Sequence, residues 1–116
     1  MLRPSNKELY NKIQKGIEIL AEGDVHLINP SAIAEDAIEL GYQIRNLKSI
    51  LNQLLKEVKI GDYVGARPPR KSYEQLIKDS ELLEFRWAST IFGCDVYLKF
   101  CHKKNVLYLV SLHKHR

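Results

Sequence analysis

The sequence predicts an α+β fold in which N-terminal helices pack on a C-terminal antiparallel sheet of about three strands. Apolar residues recur at helical spacing through the first half of the chain, and they alternate with polar residues through its last third. Helices followed by strands, in separate parts of the chain, are typical of α+β layer folds. A length of 116 residues fits one domain, so residues 1–116 are expected to form a single domain.

Three helices account for the first half of the chain. The first is predicted to begin at Ser5, which fits the hydroxyl position of a capping box, and to end at Gly23. The second starts at Pro30, where a proline costs no hydrogen bond, and stops at Gly41. The third, over residues 44–58, has the widest apolar stripe and is the clearest element of the chain.

Three antiparallel strands account for the predicted sheet, over residues 83–88, 95–101 and 106–112. The first two alternate between apolar and polar residues, whereas the third is apolar on both faces, which is typical of a central strand. Residues 102–105 are few enough to close a hairpin. Residues 25–28 are interpreted as a short apolar link between helices.

The charge of the chain is concentrated in its second half. The net charge is +4, but residues 1–58 carry seven Lys and Arg against eight Asp and Glu, whereas residues 59–116 carry eleven against six. A one-sided excess of cations is typical of a surface that meets a polyanion such as RNA. The alternative is a solvated surface whose charge serves only solubility.

Composition also indicates the compartment. The chain has no apolar run long enough for a membrane span, and its N-terminus lacks the apolar core of a signal peptide, so a cytoplasmic protein without a membrane partner is expected. Cys94 and Cys101 fall on one predicted strand, too far apart for a disulfide, which favours free thiols. No metal-ligand spacing stands out, and no metal or cofactor is predicted.

Four side chains form a candidate reaction centre. Tyr97 and Lys99 share the polar face of the second strand, Arg86 lies on the polar face of the first, and His113 ends the third. Metal-free RNA cleavage needs an acid, a base and cations around the phosphate, and imidazole is the natural acid or base near neutral pH. Tyr97 would act only with a lowered pKa or as a hydrogen-bond donor. The alternative is an ordinary polar strand face and a frayed tail.

A proline-stiffened loop supplies further cations. Arg67, Arg70 and Lys71 surround two prolines, and a stiff backbone lets them meet phosphates with little ordering cost. Tyr63 and Tyr73 flank the loop and are candidates for stacking on unpaired bases. The alternatives are a connector with solubilising charge and a segment that docks a protein partner.

Residues 95–99, Asp-Val-Tyr-Leu-Lys, and residues 107–113, Leu-Tyr-Leu-Val-Ser-Leu-His, resemble the closing hairpin of the MqsR family, the motility quorum-sensing regulator toxins. Residues 22–25, 39–42 and 59–63 follow in a similar order, so the resemblance covers most of the chain. It implies a RelE-like fold, cleavage of mRNA and neutralisation by a cognate antitoxin.

The resemblance also assigns roles to individual residues. Tyr97 corresponds to the active-site tyrosine of the family in its Val-Tyr-Leu-Lys setting. His113 falls where the family has a lysine near its C-terminus, and one inserted residue would put Lys114 there instead. The other lysine of the family falls at residues 64–65, where this chain has no cation, and Arg67 in the adjoining loop is a conjectural substitute.

The first hypothesis is therefore a metal-independent endoribonuclease toxin that cleaves mRNA, including mRNA on the ribosome. Tyr97, Lys99, Arg86 and His113 would form the reaction centre, and Tyr63, Arg67, Arg70, Lys71 and Lys114 would bind the RNA. A cognate antitoxin would cover the basic face. The second hypothesis is a non-catalytic nucleic-acid-binding module, since residues 31–40 and 44–58 loosely resemble a helix-turn-helix. The third is a protein-interaction domain that docks a partner on its Pro-Pro loop.

Overall fold

A computed structural model describes residues 6–66 and 69–115. The fold is α+β, with helices followed by a mixed sheet of four strands. No helix in the described part of the chain is long and apolar enough to cross a membrane. In chain order, the elements are α1 (Asn6–Glu22), β1 (Asp24–Leu27), α2 (Pro30–Leu40), a 3-10 turn (Ile44–Asn46) that leads into α3 (Leu47–Glu57), 3-10 turns at Ile60–Asp62 and Gln75–Ile77, β2 (Leu83–Ser89), β3 (Cys94–Lys103) and β4 (Val106–Lys114).

The three predicted strands are present, but the prediction of about three strands is corrected to four. The strand order is β1-β4-β3-β2, and β1 pairs in parallel with the first half of β4 while the other pairs are antiparallel. The segment read as a link is therefore a strand. Its four residues are too few to show a period, although Val25 and Leu27 alternate with the exposed Asp24 and His26. With β1 in place, β4 is a central strand, as its apolar faces predict.

The helix boundaries follow the sequence signals closely. Asn29 caps α2, because its Oδ1 accepts from the backbone N of Ala32 at 3.3 Å, and Gly41 ends the helix with a left-handed φ of 86°. The Ser5 cap predicted for α1 lies outside the described residues. The predicted third helix begins as a 3-10 turn at Ile44 before it becomes α3.

One face of the sheet is sealed by the helices. Val96, Leu98 and Phe100 of β3 are fully buried, which confirms that this face of the strand packs inward. Helix α1 packs closely at Gly16, where an added Cβ would lie 2.9 Å from Leu55 Cδ1 and 3.6 Å from Phe100 Cε2. The polar residues that alternate with these core residues therefore lie on the opposite face of the sheet.

The carboxylate of Glu57, at the end of α3, fastens the β2–β3 hairpin to that helix. Its Oε1 accepts from Trp87 Nε1 at 2.6 Å, and its Oε2 accepts from the backbone N of Thr90 at 2.8 Å. Burial alone would raise the pKa of Glu57, but hydrogen bonds from Thr90, Ser89 and Trp87 together lower it from 4.5 to about 2. The ionised carboxylate is therefore part of the folded structure.

This lowered pKa predicts how stability depends on pH. Because the pKa of Glu57 is lower in the folded chain, its stabilising effect is complete above pH 4.5 and is lost as the pH falls towards about 2. Glu57→Gln should lower the free energy of unfolding by about 1–3 kcal/mol near neutral pH, with a smaller difference at acidic pH within that window. Urea unfolding of both proteins at the two pH values measures this. Glu18→Gln, at an exposed position of α1, is the control, and a pH-independent effect at Glu57 would contradict the account.

Candidate active site

Two rows of polar side chains cross the sheet on the face opposite the helices. In the first row, Arg86 of β2, Tyr97 of β3 and His113 of β4 are paired across the strands. In the second row, Lys99 is paired with Glu84 of β2 and with Ser111 of β4. Paired residues on neighbouring antiparallel strands have Cβ atoms about 5 Å apart, so the six side chains form one surface. We call this surface the polar sheet face, defined by Glu84, Arg86, Tyr97, Lys99, Ser111 and His113.

A β-bulge in β4 brings His113 to this face. Lys99 pairs with Ser111 but Phe100 pairs with Leu109, so Val110 is an extra residue in β4. Leu109 and Leu112 are both fully buried although they are three residues apart, which an unbroken alternation would not allow. Because the bulge resets the alternation, His113 joins Tyr97. Lys114 is exposed and follows on the other side of the strand, so His113 is the C-terminal residue of the first row.

Tyr97 is a hydrogen-bond donor at the centre of the polar sheet face. Its hydroxyl donates to Glu84 Oε1 at 2.5 Å. Burial, the hydrogen bond to Glu84 and the charge of Glu84 all raise the pKa of Tyr97. A raised pKa opposes the role of phenolate base, and the hydroxyl is placed as a neutral hydrogen-bond donor. Tyr97 therefore orients the Glu84 carboxylate.

His113 is held beside Tyr97 by stacking. The two ring centroids lie 5.1 Å apart with 25° between the ring planes. His113 Nδ1 lies 2.9 Å from the backbone oxygen of Lys114. A carbonyl oxygen can only accept, so Nδ1 carries a proton and Nε2 is the nitrogen that can exchange one with a ligand. The geometry thus sets an oriented carboxylate and an oriented imidazole on either side of one phenol.

The loop after α3 runs along the edge of β2 next to Glu84. The backbone N of Val64 donates to the backbone oxygen of Glu84 at 2.9 Å. The Glu84 carboxylate also faces this loop, because a Cβ on Gly65 would lie 3.1 Å from Glu84 Oε2 and 2.6 Å from Tyr63 Oη. A side chain at residue 65 would press on the Glu84 carboxylate. This close contact explains why a glycine occupies the position, which sequence alone did not show.

Tyr63 does not fit the predicted base-stacking role. Its side chain is 8% exposed and its ring packs edge-on against Phe85, with centroids 5.5 Å apart. Its hydroxyl donates to the backbone oxygen of Ala66, so the residue anchors the loop from inside. The expectation that Tyr63 stacks on RNA bases is therefore corrected. Packing its ring against the apolar residues of β2 stabilises the fold more than exposure of the ring to water would.

Two of the three predicted loop cations, Arg70 and Lys71, lie beside the start of β2 and outside the two rows. Arg67 is outside the described residues. Arg70 and Lys71 are both exposed. The backbone N of Leu82 donates to the backbone oxygen of Arg70 at 2.7 Å, and the backbone of Lys71 forms an antiparallel β-bridge with that of Glu81. The structure thus brings Arg86, Tyr97, Lys99 and His113 together, as predicted, and places Arg70 and Lys71 at a neighbouring position.

Sequence reasoning missed Glu84 and Ser111. Glu84 lies at a polar position of the alternating pattern of β2, but the register that pairs it with Lys99 cannot be read from one strand alone. Ser111 lies in a run that reads as apolar, and only the bulge places it on the polar sheet face. Neither a family model nor a curated protein matches the chain at a significant level. Among residues 6–66 and 69–115, no group of three His, Cys, Asp or Glu could hold a metal ion.

Proposed function

We propose that this protein is a metal-independent endoribonuclease toxin of the kind that the MqsR-like hairpin implies, with a RelE-like fold and the cytoplasm as its site of action. One observation carries the proposal. A carboxylate, Glu84, and an imidazole, His113, are held on either side of Tyr97, with Arg86 and Lys99 in the same two rows. These groups match the acid, base and cations that RNA transesterification requires.

The reaction would proceed in one displacement at phosphorus. The Glu84 carboxylate takes the proton of the 2′-hydroxyl, and the 2′-oxygen attacks the adjacent phosphorus. The bond from phosphorus to the 5′-oxygen breaks as His113 Nε2 donates a proton to that leaving oxygen. The products are a 2′,3′-cyclic phosphate and a 5′-hydroxyl, and proton exchange with water restores both residues. Arg86 and Lys99 stabilise the negative charge that grows on the phosphorane oxygens.

The proposed partners follow from the charge of the second half of the chain. The second half of the chain carries the whole excess of cations, and the exposed Arg86, Arg70 and Lys71 belong to it. An RNA strand, including mRNA on the ribosome, is the proposed substrate. A cognate antitoxin with an acidic surface is the proposed protein partner, since it would cover these cations and keep RNA away.

Purified protein incubated with RNA in the presence of a chelator tests the proposal. Wild type should cleave, and Tyr97→Phe should cleave roughly 10- to 100-fold more slowly, because the hydrogen bond to the charged Glu84 is lost. Asp95→Asn, an exposed carboxylate of the same strand, is the control and should keep full activity. RNA binding without cleavage by wild type would overturn the enzymatic proposal and favour the non-catalytic binding module.

A further inference from the structure

A second concave surface lies beside the start of β2, and the proposed chemistry does not use it. It is a hollow of about 490 Å³ lined by Arg70, Lys71, Ser72, Tyr73 and Asp79, which we call the Tyr73 hollow. Tyr73 is 97% exposed, so its ring presents its surface to solvent. An exposed aromatic ring with two exposed cations beside it is suited to a ligand that is both aromatic and anionic.

The backbone around Tyr73 is fixed by hydrogen bonds. The backbone N of Ser72 donates to Ser80 O at 2.9 Å, and the N of Asp79 donates to Ser72 O at 2.9 Å. The buried Ser72 hydroxyl accepts from the backbone N of Glu74 at 3.0 Å. Asp79 adopts a left-handed φ of 68°, an uncommon conformation for a residue other than glycine. The ring of Tyr73 is therefore presented by a closed loop, which lowers the entropy lost when a ligand stacks on it.

We propose that the Tyr73 hollow binds one unpaired base of a single-stranded RNA, which stacks on Tyr73 while Arg70 and Lys71 hold the flanking phosphates. Every base offers a face for stacking, but in a duplex those faces are covered by neighbouring base pairs. Asp79 would repel a phosphate, so the phosphates lie on the side of the two cations and Asp79 meets N–H groups on the base edge.

The hollow lies beside the residues that lead into β2, the strand that carries Glu84. The oxygen of Arg70 accepts from the backbone N of Leu82, the residue before β2, and Glu84 lies two residues further along the chain. At about 3.3 Å per residue of extended chain, Leu82 and Glu84 are about 7 Å apart. The inference therefore deepens the proposed function, on which it rests for the identity of the polymer, by naming a single strand as the form of RNA that is bound.

Binding of 2′-O-methyl RNA by the wild-type protein tests the hollow separately from cleavage, because this RNA has no 2′-hydroxyl to react. A short single strand should bind more tightly than the corresponding duplex. Tyr73→Ala should weaken binding roughly 5- to 100-fold, whereas Tyr73→Phe keeps the ring and should bind as wild type does. Tyr10→Ala removes another exposed tyrosine, on α1, and should have no effect.

Scanning one abasic nucleotide through the oligonucleotide sharpens the test. At one position, the abasic site should weaken binding by wild type as much as the Tyr73→Ala substitution does. The same abasic site should not weaken binding by the Tyr73→Ala variant any further. Three results would overturn the proposed role of the hollow and leave the cleavage proposal intact. They are equal binding by Tyr73→Ala and wild type, an equal loss of binding in Tyr73→Phe and Tyr73→Ala, and no preference for single strands. If the protein shows the expected binding pattern but does not cleave unmodified RNA, the enzymatic proposal is overturned and the proposed base-binding role of the Tyr73 hollow stands.

Discussion

Glu84→Gln should lower the rate of RNA cleavage by about 100-fold or more, because general bases contribute at least this much in enzymes that use them. Glutamine keeps the shape of the side chain and can still accept the hydrogen bond from the Tyr97 hydroxyl, so the surface should stay folded. It cannot take the proton of the 2′-hydroxyl. Single-turnover cleavage of a labelled RNA at saturating protein measures the chemical step apart from binding.

The control for this variant is another carboxylate of the same sheet. Asp95→Asn removes an equal charge from an exposed position of β3 and should leave the rate unchanged. His113→Ala should lose activity to a similar degree as Glu84→Gln, and the double variant should be little worse than either single one, because acid and base act in the same step. Full activity in Glu84→Gln would remove this residue from the reaction.

Gly23→Ala should give the largest loss of stability, about 2–3 kcal/mol in the free energy of unfolding, the upper part of the range for overpacking. An added Cβ at Gly23 would lie 2.2 Å from the backbone oxygen of Asn105 and 3.0 Å from that of Ile19. Neither atom is the end of a flexible side chain. The end of α1 or the turn between β3 and β4 would have to move, and the start of the β1–β4 pairing lies between them.

Gly61→Ala is the matched control for Gly23→Ala. Gly61 has nothing within 4 Å of an added Cβ, so this substitution should change stability by no more than about 0.5 kcal/mol. Urea unfolding followed by circular dichroism measures both variants, and the dependence on urea should be the same in all three proteins. Equal stability of Gly23→Ala and wild type would show that the contact at Asn105 yields without cost.

The parts of the fold that were predictable are those with a strong local pattern. The alternation along β2 and β3 identified the buried face, and with it the face that holds Arg86, Tyr97 and Lys99. The short hairpin between β3 and β4 was also predictable, and it closes with Lys104 and Asn105 at positive φ values of 48° and 61°. These features depend on near neighbours in the chain, so the sequence shows them directly.

The parts that were missed depend on contacts distant in the chain. Val25 and Leu27 form a strand only because β4 offers an unpaired edge, and four residues carry too little pattern to reveal it. An extra residue in β4, which no local signal marked, decides that His113 and not Lys114 shares the face of Tyr97. Tyr63 was misjudged because its burial depends on Phe85, more than twenty residues further along the chain.

In the proposed mechanism, the nucleophile is the 2′-hydroxyl of the RNA itself, activated at the polar sheet face. The most direct measurement compares an RNA that wild type cleaves in chelator with the same RNA carrying one 2′-deoxynucleotide on the 5′ side of the cleaved bond. Cleavage at that bond should disappear, and the unmodified RNA should yield a 2′,3′-cyclic phosphate and a 5′-hydroxyl. Cleavage that persists at the deoxy position, or products that end in a 3′-hydroxyl and a 5′-phosphate, would contradict it.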